Sequence, residues 1–454
     1  MDAPSGWRAL GSSRSPSVAV PPSFAHLART HALSTAGDTL VATALAGSLF
    51  FSLPPDAARS RVALYLVLTM APFAVVAPLI GPWIDRRAGG RRSMVVLSAA
   101  VRAGICLLMV DDIDGLFLFP EAFTVLVLAR GYQVARASLV PGLVRDESQL
   151  VEANSKLVLI SGIVGLLAAV PGVALLQLGP SWVLGLATIV FAATTLSAYR
   201  IPRSRVASGR ATPLERAELR GAGILLAASA MAVLRGVVGF LSFLVAFALR
   251  ADDAPVWWFG VILAASAVGA LVGAALAPRL RRRVPEERIL LGSLVVVAVA
   301  ALSLLEVGGR VSVAVLAAAV GLGATAGKLC FDSIVQRDAP DANQGASFAR
   351  FEARFQLVWV AGAFLPVVLP IPLDVGYLSI GVIAGIAAFL YATGRRISAA
   401  RLASTVAAGR ARAAERLANR TARVGRGSGS GSRTGSGSGS RTGSGSGSGS
   451  GSSS

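Results

Sequence analysis

The residues of this chain that could do chemistry are charged and polar groups set inside long apolar runs. Arg130 and Gln133 stand in one run with Arg136 close behind, and Arg235 lies near the middle of another. Asp38 is the only carboxylate of the first run, and Lys328 and Asp332 lie near the end of a further one. An arginine at hydrocarbon depth costs at least about 2.5–3.5 kcal/mol, so it should face other helices or a wet cavity. There Arg130 can bind an anionic group or hold a carboxylate ionised until substrate or proton intervenes. Its alternative is a structural one, as partner to polar groups. Arg235 is too far from either end of its run to reach the interface easily, and backbone carbonyls are its alternative partners. Asp38 can pair with Arg130 or Arg136, a pair that protonation would break; equally, it can cap a helix just after Gly37. Lys328 and Asp332 have i,i+4 spacing and can pair along one helix face.

Other chemistries find little to build on. The two cysteines, Cys106 and Cys330, both fall in apolar runs, which suggests neither a disulfide framework nor a metal cluster. The only histidines, His26 and His31, fall in the polar arm 1–35, which excludes histidine chemistry within a membrane. An enzyme would need nucleophiles, carboxylates or metal ligands gathered at one depth, and no such cluster is legible. No metal and no cofactor is expected.

The elements that must position these groups follow from composition. The 454 residues are 54% hydrophobic and only 15% charged, with a mean hydropathy of +0.67. Soluble domains carry about 25% charged residues. The apolar runs are continuous and of the length that crosses about 30 Å of hydrocarbon as a helix; barrel strands would instead alternate at period two. Twelve spans are predicted, at 36–53, 62–83, 93–110, 119–140, 156–177, 181–199, 222–248, 256–277, 289–306, 311–332, 354–370 and 375–394. Glu352 and Arg354 read as interface charges flanking the eleventh. No cleaved signal is read at the start, where 1–35 is polar and rich in Pro and Ser.

The formal net charge of +19 could suggest nucleic acid, but its distribution suggests a membrane. One set of loops carries Arg86, Arg87, Arg91, Arg92, Arg145, the arginines of 200–221, and Arg279 to Arg283; the opposite set carries Asp111, Asp112, Asp114, Asp252, Asp253 and Asp374. By the positive-inside rule both termini are cytoplasmic, which requires an even number of crossings. The expected organisation is an arm 1–35, a six-helix bundle 36–199, a basic linker 200–221, a second bundle 222–394 and a tail 395–454. The tail is Arg/Ala-rich, then a flexible Gly/Ser repeat over 427–454.

The two bundles align at a constant offset of 192. It links Gly81 to Gly273, Arg87 to Arg279, Arg91 to Arg283, Arg136 to Lys328, Arg145 to Arg337 and Asp146 to Asp338. Like-oriented repeats of this kind can hold a site near the midplane and expose it by rocking.

Over roughly 30–395 the chain resembles the major facilitator superfamily. Gly81-Pro-Trp-Ile-Asp85-Arg86-Arg87-Ala-Gly-Gly-Arg91-Arg92 looks like that family's signature loop, with one extra residue between its basic clusters. The second-half copy, Gly273 to Arg283, has Ala277 and Pro278 where Asp85 and Arg86 stand, and so lacks the carboxylate. Arg130-Gly-Tyr-Gln133 resembles the intramembrane Arg and Gln of the family's drug–proton antiporters. Gly162, Gly165 and Pro171-Gly172 are loosely similar to the exporters' Gly-Pro motif. The resemblance implies an all-α integral membrane fold of twelve helices in two parallel six-helix repeats, with Asp85 in a gating latch; ordinary topology charge is its other reading. It also implies that spans 1, 4, 7 and 10 line a cavity, so that Arg130 and Arg235 face each other in a positive crevice suited to an anionic or zwitterionic substrate.

The texture looks like bacterial multidrug or siderophore exporters, in a high-GC bacterium given the Ala/Arg/Gly bias. The expected function is proton-coupled efflux of a small amphipathic molecule by alternating access, in the inner membrane. Expected partners are substrate, protons and the lipid bilayer, with no nucleic acid, and the protein is expected to be a monomer. Import of a small organic solute and a non-transporting membrane role are the rival readings.

Overall fold

The computed structural model describes residues 22–45, 84, 89–111, 117–144, 146, 149–202, 222–252, 254–255, 257–338 and 344–397. The expected second span, and with it Gly81, Asp85, Arg86 and Arg87, lies outside the described residues, as does Arg145. The described residues up to Arg395 form one compact unit; of the second, 396–454, only Arg396 and Ile397 are described.

The described residues are helical, without strands. The helices are α1 (Pro22–Leu45), α2 (Gly90–Asp111), α3 (Leu118–Leu139, continued by a 3-10 turn Val140–Leu143), α4 (Leu150–Leu176) and α5 (Pro180–Ala198). After the linker come α6 (Ala222–Ala251), α7 (Trp257–Arg281), α8 (Glu286–Ser303), α9 (Gly309–Asp338) and α10 (Gln344–Val368), then α11 (Leu373–Ile397). Eight of these are long and apolar enough to cross a membrane by length and composition. The others, α1, α3 and α8, carry polar or charged residues within a similar length: α1 has His26, His31 and Asp38, α3 has Glu121, Arg130 and Arg136, and α8 opens on Glu286, Glu287 and Arg288.

The distribution of side chains inverts that of a soluble protein. Leu166, Leu167 and Val170 on α4, Leu263 on α7 and Phe389 on α11 are exposed, whereas Arg102, Asn154, Glu286 and Asp332 are buried. Apolar surface on this scale suits contact with lipid, and each buried polar group then needs a partner within the bundle.

Packing follows small residues. In the first half α1 lies against α4 and α5, and α2 against α3 and α5; in the second, α7 packs on α9 and α6 on α10. A Cβ at Gly239 would collide with the carbonyl of Trp359, and one at Gly269 with that of Ala318. Only glycine lets these backbones approach so closely, the usual basis of tight helix pairs in lipid.

Two helices begin well before their expected starts. Helix α1 begins at Pro22 rather than 36, burying Phe24, Leu27, Thr30, His31, Ser34 and Leu40 along one 3.6-residue stripe. That face is partly polar, so hydropathy conceals it, and His31 lies in the bundle instead of a solvated arm. Helix α10 begins at Gln344 rather than 354, because Phe348, Phe351 and Phe355 form an i, i+3, i+7 stripe. Phe331 meets Phe351 and Phe355 edge-on at 5.3 and 5.0 Å. Glu352 is therefore carried inside the bundle, not left at its rim.

Candidate functional site

Four helices bring charge to one place in the second half and its border with the first. On α9, Lys328 and Asp332 are one turn apart and pair at 2.5 Å. The same Lys328 Nζ reaches Glu352 Oε1 of α10 at 2.6 Å. Glu352 Oε2 lies 3.8 Å from Arg235 Nη2 on α6, an ion pair too long for a hydrogen bond. From the first half, Arg130 on α3 is within electrostatic reach of Glu352, Arg235 and Asp38, and its Nη1 donates to Gln133 Oε1 at 3.3 Å. Glu352 is thus a hub held by two cations from two helices, Lys328 of α9 and Arg235 of α6. The site is not sealed: the side chains of Glu352 and Arg235 are 20% and 35% exposed.

Expected and observed pairings differ here. Lys328 and Asp332 pair as their spacing predicted. Arg235 takes a carboxylate, Glu352, rather than backbone carbonyls. Glu352 was expected at the membrane surface; its signal was the phenylalanine stripe that extends α10.

Asp38 does not pair with Arg130 or Arg136. Arg102 of α2 donates from Nη1 to Asp38 Oδ1 at 2.5 Å, from Nη2 to Ser34 Oγ at 3.1 Å and from Nε to the Ser98 carbonyl at 3.0 Å. Its guanidinium lies 4.4 Å from the Phe191 ring centre and 5.5 Å from that of Tyr132. Arg102 is wholly buried while the Asp38 side chain is 36% exposed. The helix is continuous through Asp38, so the capping alternative falls as well.

Arg136 instead meets His31. Its Nη1 lies 3.0 Å from His31 Nε2, Ser161 Oγ lies 2.7 Å from the same nitrogen, and Tyr132 Oη lies 3.0 Å from Nδ1. Guanidinium can only donate, so Nε2 accepts and the imidazole is the neutral tautomer with its proton on Nδ1, aimed at Tyr132. A buried, fully engaged histidine overturns the expectation that His31 lies in a polar arm outside the bundle.

The described part of the predicted gating loop is tied down. Arg91 donates to the Ser138 carbonyl at 2.9 Å and Arg92 to the Tyr199 carbonyl at 2.7 Å. In the second-half copy the missing carboxylate is supplied by the next helix. Glu286 of α8, 1% exposed, pairs with Arg281 at 2.6 Å and with Arg337 at 3.3 Å. Beside it, burial would raise the Glu287 carboxyl, but its own backbone amide and Arg337 hold it below the usual carboxylate range.

Near this basic end the two halves close on each other. Asn154 of α4 donates to Gln336 of α9 at 2.6 Å, and Gln336 donates to the Ala137 carbonyl of α3 at 2.9 Å. Ser155 donates to the Ala274 carbonyl at 2.5 Å. Val151 packs with Ala274, Ala277, Ala326 and Leu329 around these bonds. At 1.5 Å rise per residue, Lys328 stands about 12 Å along α9 from Gln336, and Glu352 about 12 Å along α10 from Gln344. The charged hub therefore lies at one depth, inward of a closed end.

The family model described as Major Facilitator Superfamily matches residues 27–363. An uncharacterized protein of Mycobacterium leprae (strain TN), ML2143, is 30% identical over 389 residues, covering 76% of this chain and 66% of that protein, so the chain spans about two thirds of its length. A bacterial homologue of the iron transporter ferroportin, in an outward-facing state, superposes with a TM-score of 0.65 at 19% identity, over 83% of this chain and 99% of that one. The transporter FucP in its outward conformation gives 0.61 at 14%, over 82% and 98%.

Proposed function

We propose, from the premise that the chain belongs to the major facilitator superfamily and is a transporter rather than an enzyme, that it exports a small amphipathic molecule in exchange for protons. The full chain is read as twelve spans in two parallel six-helix halves, acting as a monomer in a bacterial plasma membrane with both termini cytoplasmic. Work is done by alternating access: the halves part at one end while closing at the other, and no bound cofactor is needed.

One observation carries this reading. Glu352 is a protonatable, partly exposed group held by Lys328 and Arg235, with Arg130 of the other half in electrostatic reach. A charge network that crosses between halves must be remade whenever they move, so protonation and ligand binding can bias the movement. The efflux direction is supported by the likeness of Arg130-Gly-Tyr-Gln133 to drug–proton antiporters. Asp85→Asn, in the gating loop, is expected to abolish transport with expression intact.

The test is transport into inverted membrane vesicles with a panel of antibiotics and siderophores. Accumulation that disappears when the proton gradient is collapsed supports export by exchange. If every compound moves equally with and without the gradient, proton coupling fails.

A further inference from the structure

The contact between Glu352 of α10 and Arg235 of α6 is held open. Glu352 Oε2 and Arg235 Nη2 stand 3.8 Å apart, beyond hydrogen-bond reach. Glu352 is anchored through its other oxygen, Oε1, to Lys328 at 2.6 Å. Arg235 makes no other ion pair and no hydrogen bond among the described residues. The helices cannot close the gap by moving together, because their backbones already touch beside Arg235. A Cβ at Gly362 of α10 would collide with the carbonyl of Gly236 on α6. Both side chains are partly exposed, so a guest can reach them.

Charge and shape narrow the guest. Lys328 and Arg235 are matched by Glu352 and Asp332. A charged guest upsets that balance at hydrocarbon depth, and a neutral one leaves it intact. Oε2 accepts and Nη2 donates, so the guest must offer a donor and an acceptor side by side. Water can make both bonds, and a guest that makes only one loses against it. A single hydroxyl oxygen would have to take both bonds, of about 2.9 Å each, at an angle of about 80° across this gap. In a primary carboxamide or a lactam an N–H and the C=O point the same way, with nitrogen and oxygen about 2.2 Å apart. Two bonds then run nearly side by side. An open-chain secondary amide is trans, and its N–H and C=O point in opposite directions.

We propose that Glu352 and Arg235 together recognise a primary carboxamide or lactam on a neutral amphipathic molecule, its N–H donating to Oε2 and its C=O accepting from Nη2. This rests on the hub being the transport site, and it names a substrate class for the exchange with protons. The groups facing Glu352 are Lys328 and Asp332 from α9, Arg235 from α6 and, at electrostatic range, Arg130 from α3. With Oε1 held by Lys328, a proton on Glu352 sits on Oε2. There it turns the acceptor into a donor that opposes the guest's N–H. Guest and proton therefore exclude each other: the guest binds as the proton leaves to water, and a returning proton weakens the guest by the same factor. Exchange follows from one carboxylate oxygen that can serve only one of them.

The experiment uses the purified full chain in detergent with benzamide, N,N-dimethylbenzamide, benzyl alcohol, benzoate and benzylamine, binding being measured calorimetrically at acidic and alkaline pH. At alkaline pH benzamide should bind at least about tenfold more tightly than the other four, the loss expected for one hydrogen bond to a charged group. Its binding should weaken as the pH falls and should release protons to the buffer. Glu352→Gln should bind benzamide equally at both pH values and without proton release, and Arg235→Met at least about tenfold more weakly than the parent. The ligand series needs no variant, so it does not depend on one folding. No binding of benzamide, an equal affinity for any of the other four, or proton uptake on binding overturns the inference. If both variants then lack vesicle transport, the hub stays the transport site and only the amide class is lost. Vesicle transport unchanged in both variants removes the hub as the transport site, and the inference with it.

Discussion

The repeat puts Arg136 of the first half and Lys328 of the second at equivalent positions, 192 residues apart, yet their surroundings differ in kind. Arg136 donates to a neutral imidazole, His31, which Ser161 and Tyr132 also engage, while the buried Arg136 Nε has no hydrogen-bond partner. Lys328 is clamped by two carboxylates, one of them shared with Arg235 across a helix boundary. The first half adds a separate ion pair, Asp38–Arg102, whose arginine is sealed between aromatic rings. One repeated layout thus holds its charges in separate local contacts on one side and in a shared, partly exposed network on the other. A local pair holds a fold together; a shared network can exchange partners. The halves are therefore expected to fail differently when mutated.

The largest effect is expected at Asp38–Arg102, and on stability rather than on transport alone. Asp38→Ala strands a wholly buried guanidinium without a counter-charge, a loss of about 3–5 kcal/mol. Arg102→Met removes that charge and leaves a carboxylate already 36% exposed, so it should cost less, and the double variant should recover part of the loss of Asp38→Ala. Thermal unfolding in detergent reads the order directly. If Asp38→Ala unfolds like the parent but cannot transport, Asp38 is a coupling group and the contrast between halves is wrong.

Arg130→Ala is expected to do the reverse. It should unfold within a few degrees of the parent while vesicle uptake falls to background, because it removes the first half's charge from the hub. A Tm drop matching that of Asp38→Ala would place Arg130 among the structural charges.

A smaller change is expected where the halves meet. Asn154→Ala deletes the bond to Gln336, and a buried bond of this kind is worth about 1 kcal/mol. The closed basic end should then open several-fold more often, seen as faster thiol labelling of a cysteine introduced at Ala274. Labelling at the parental rate would mean that Val151 and its apolar neighbours hold the end shut without it.

Much of this could be read from residue order, and the failures share a cause. Long apolar runs announce their helices, and the i,i+4 spacing of Lys328 and Asp332 was enough to place their bond. Hydropathy loses a helix when its inward face is polar, which is why His31 reads as part of a polar arm and Glu352 as an interface charge. Both lie on stripes, Phe24–Leu27–His31 and Phe348–Phe351–Phe355, whose helical period is legible once apolarity is set aside. The partner of Asp38 was beyond reach for another reason: Arg102 comes from a neighbouring helix, and nothing local says which of several arginines faces a given carboxylate. The gating loop's Asp85 stays an expectation, since it lies outside the described residues.

The smallest effect should come from a pair that looks identical on paper. Glu152 and Lys156 on α4 have the same i,i+4 spacing as Lys328 and Asp332 and meet at 2.9 Å, but their side chains are 38% and 40% exposed. Water screens them and each has other ways to be solvated, so an exposed pair of this kind is worth about 0.3–0.5 kcal/mol. Glu152→Gln should leave Tm and transport at parental values, and its slight effect should fade with added salt. Asp332→Asn changes the same single atom type at the same spacing, yet it takes one of two carboxylates from Lys328 and leaves Lys328 and Arg235 to share Glu352. Its transport should fall by about tenfold, and salt should not restore it. Equal, salt-sensitive effects from the two substitutions would show that the hub is as well hydrated as an ordinary surface, and that its charges are pairs rather than a network.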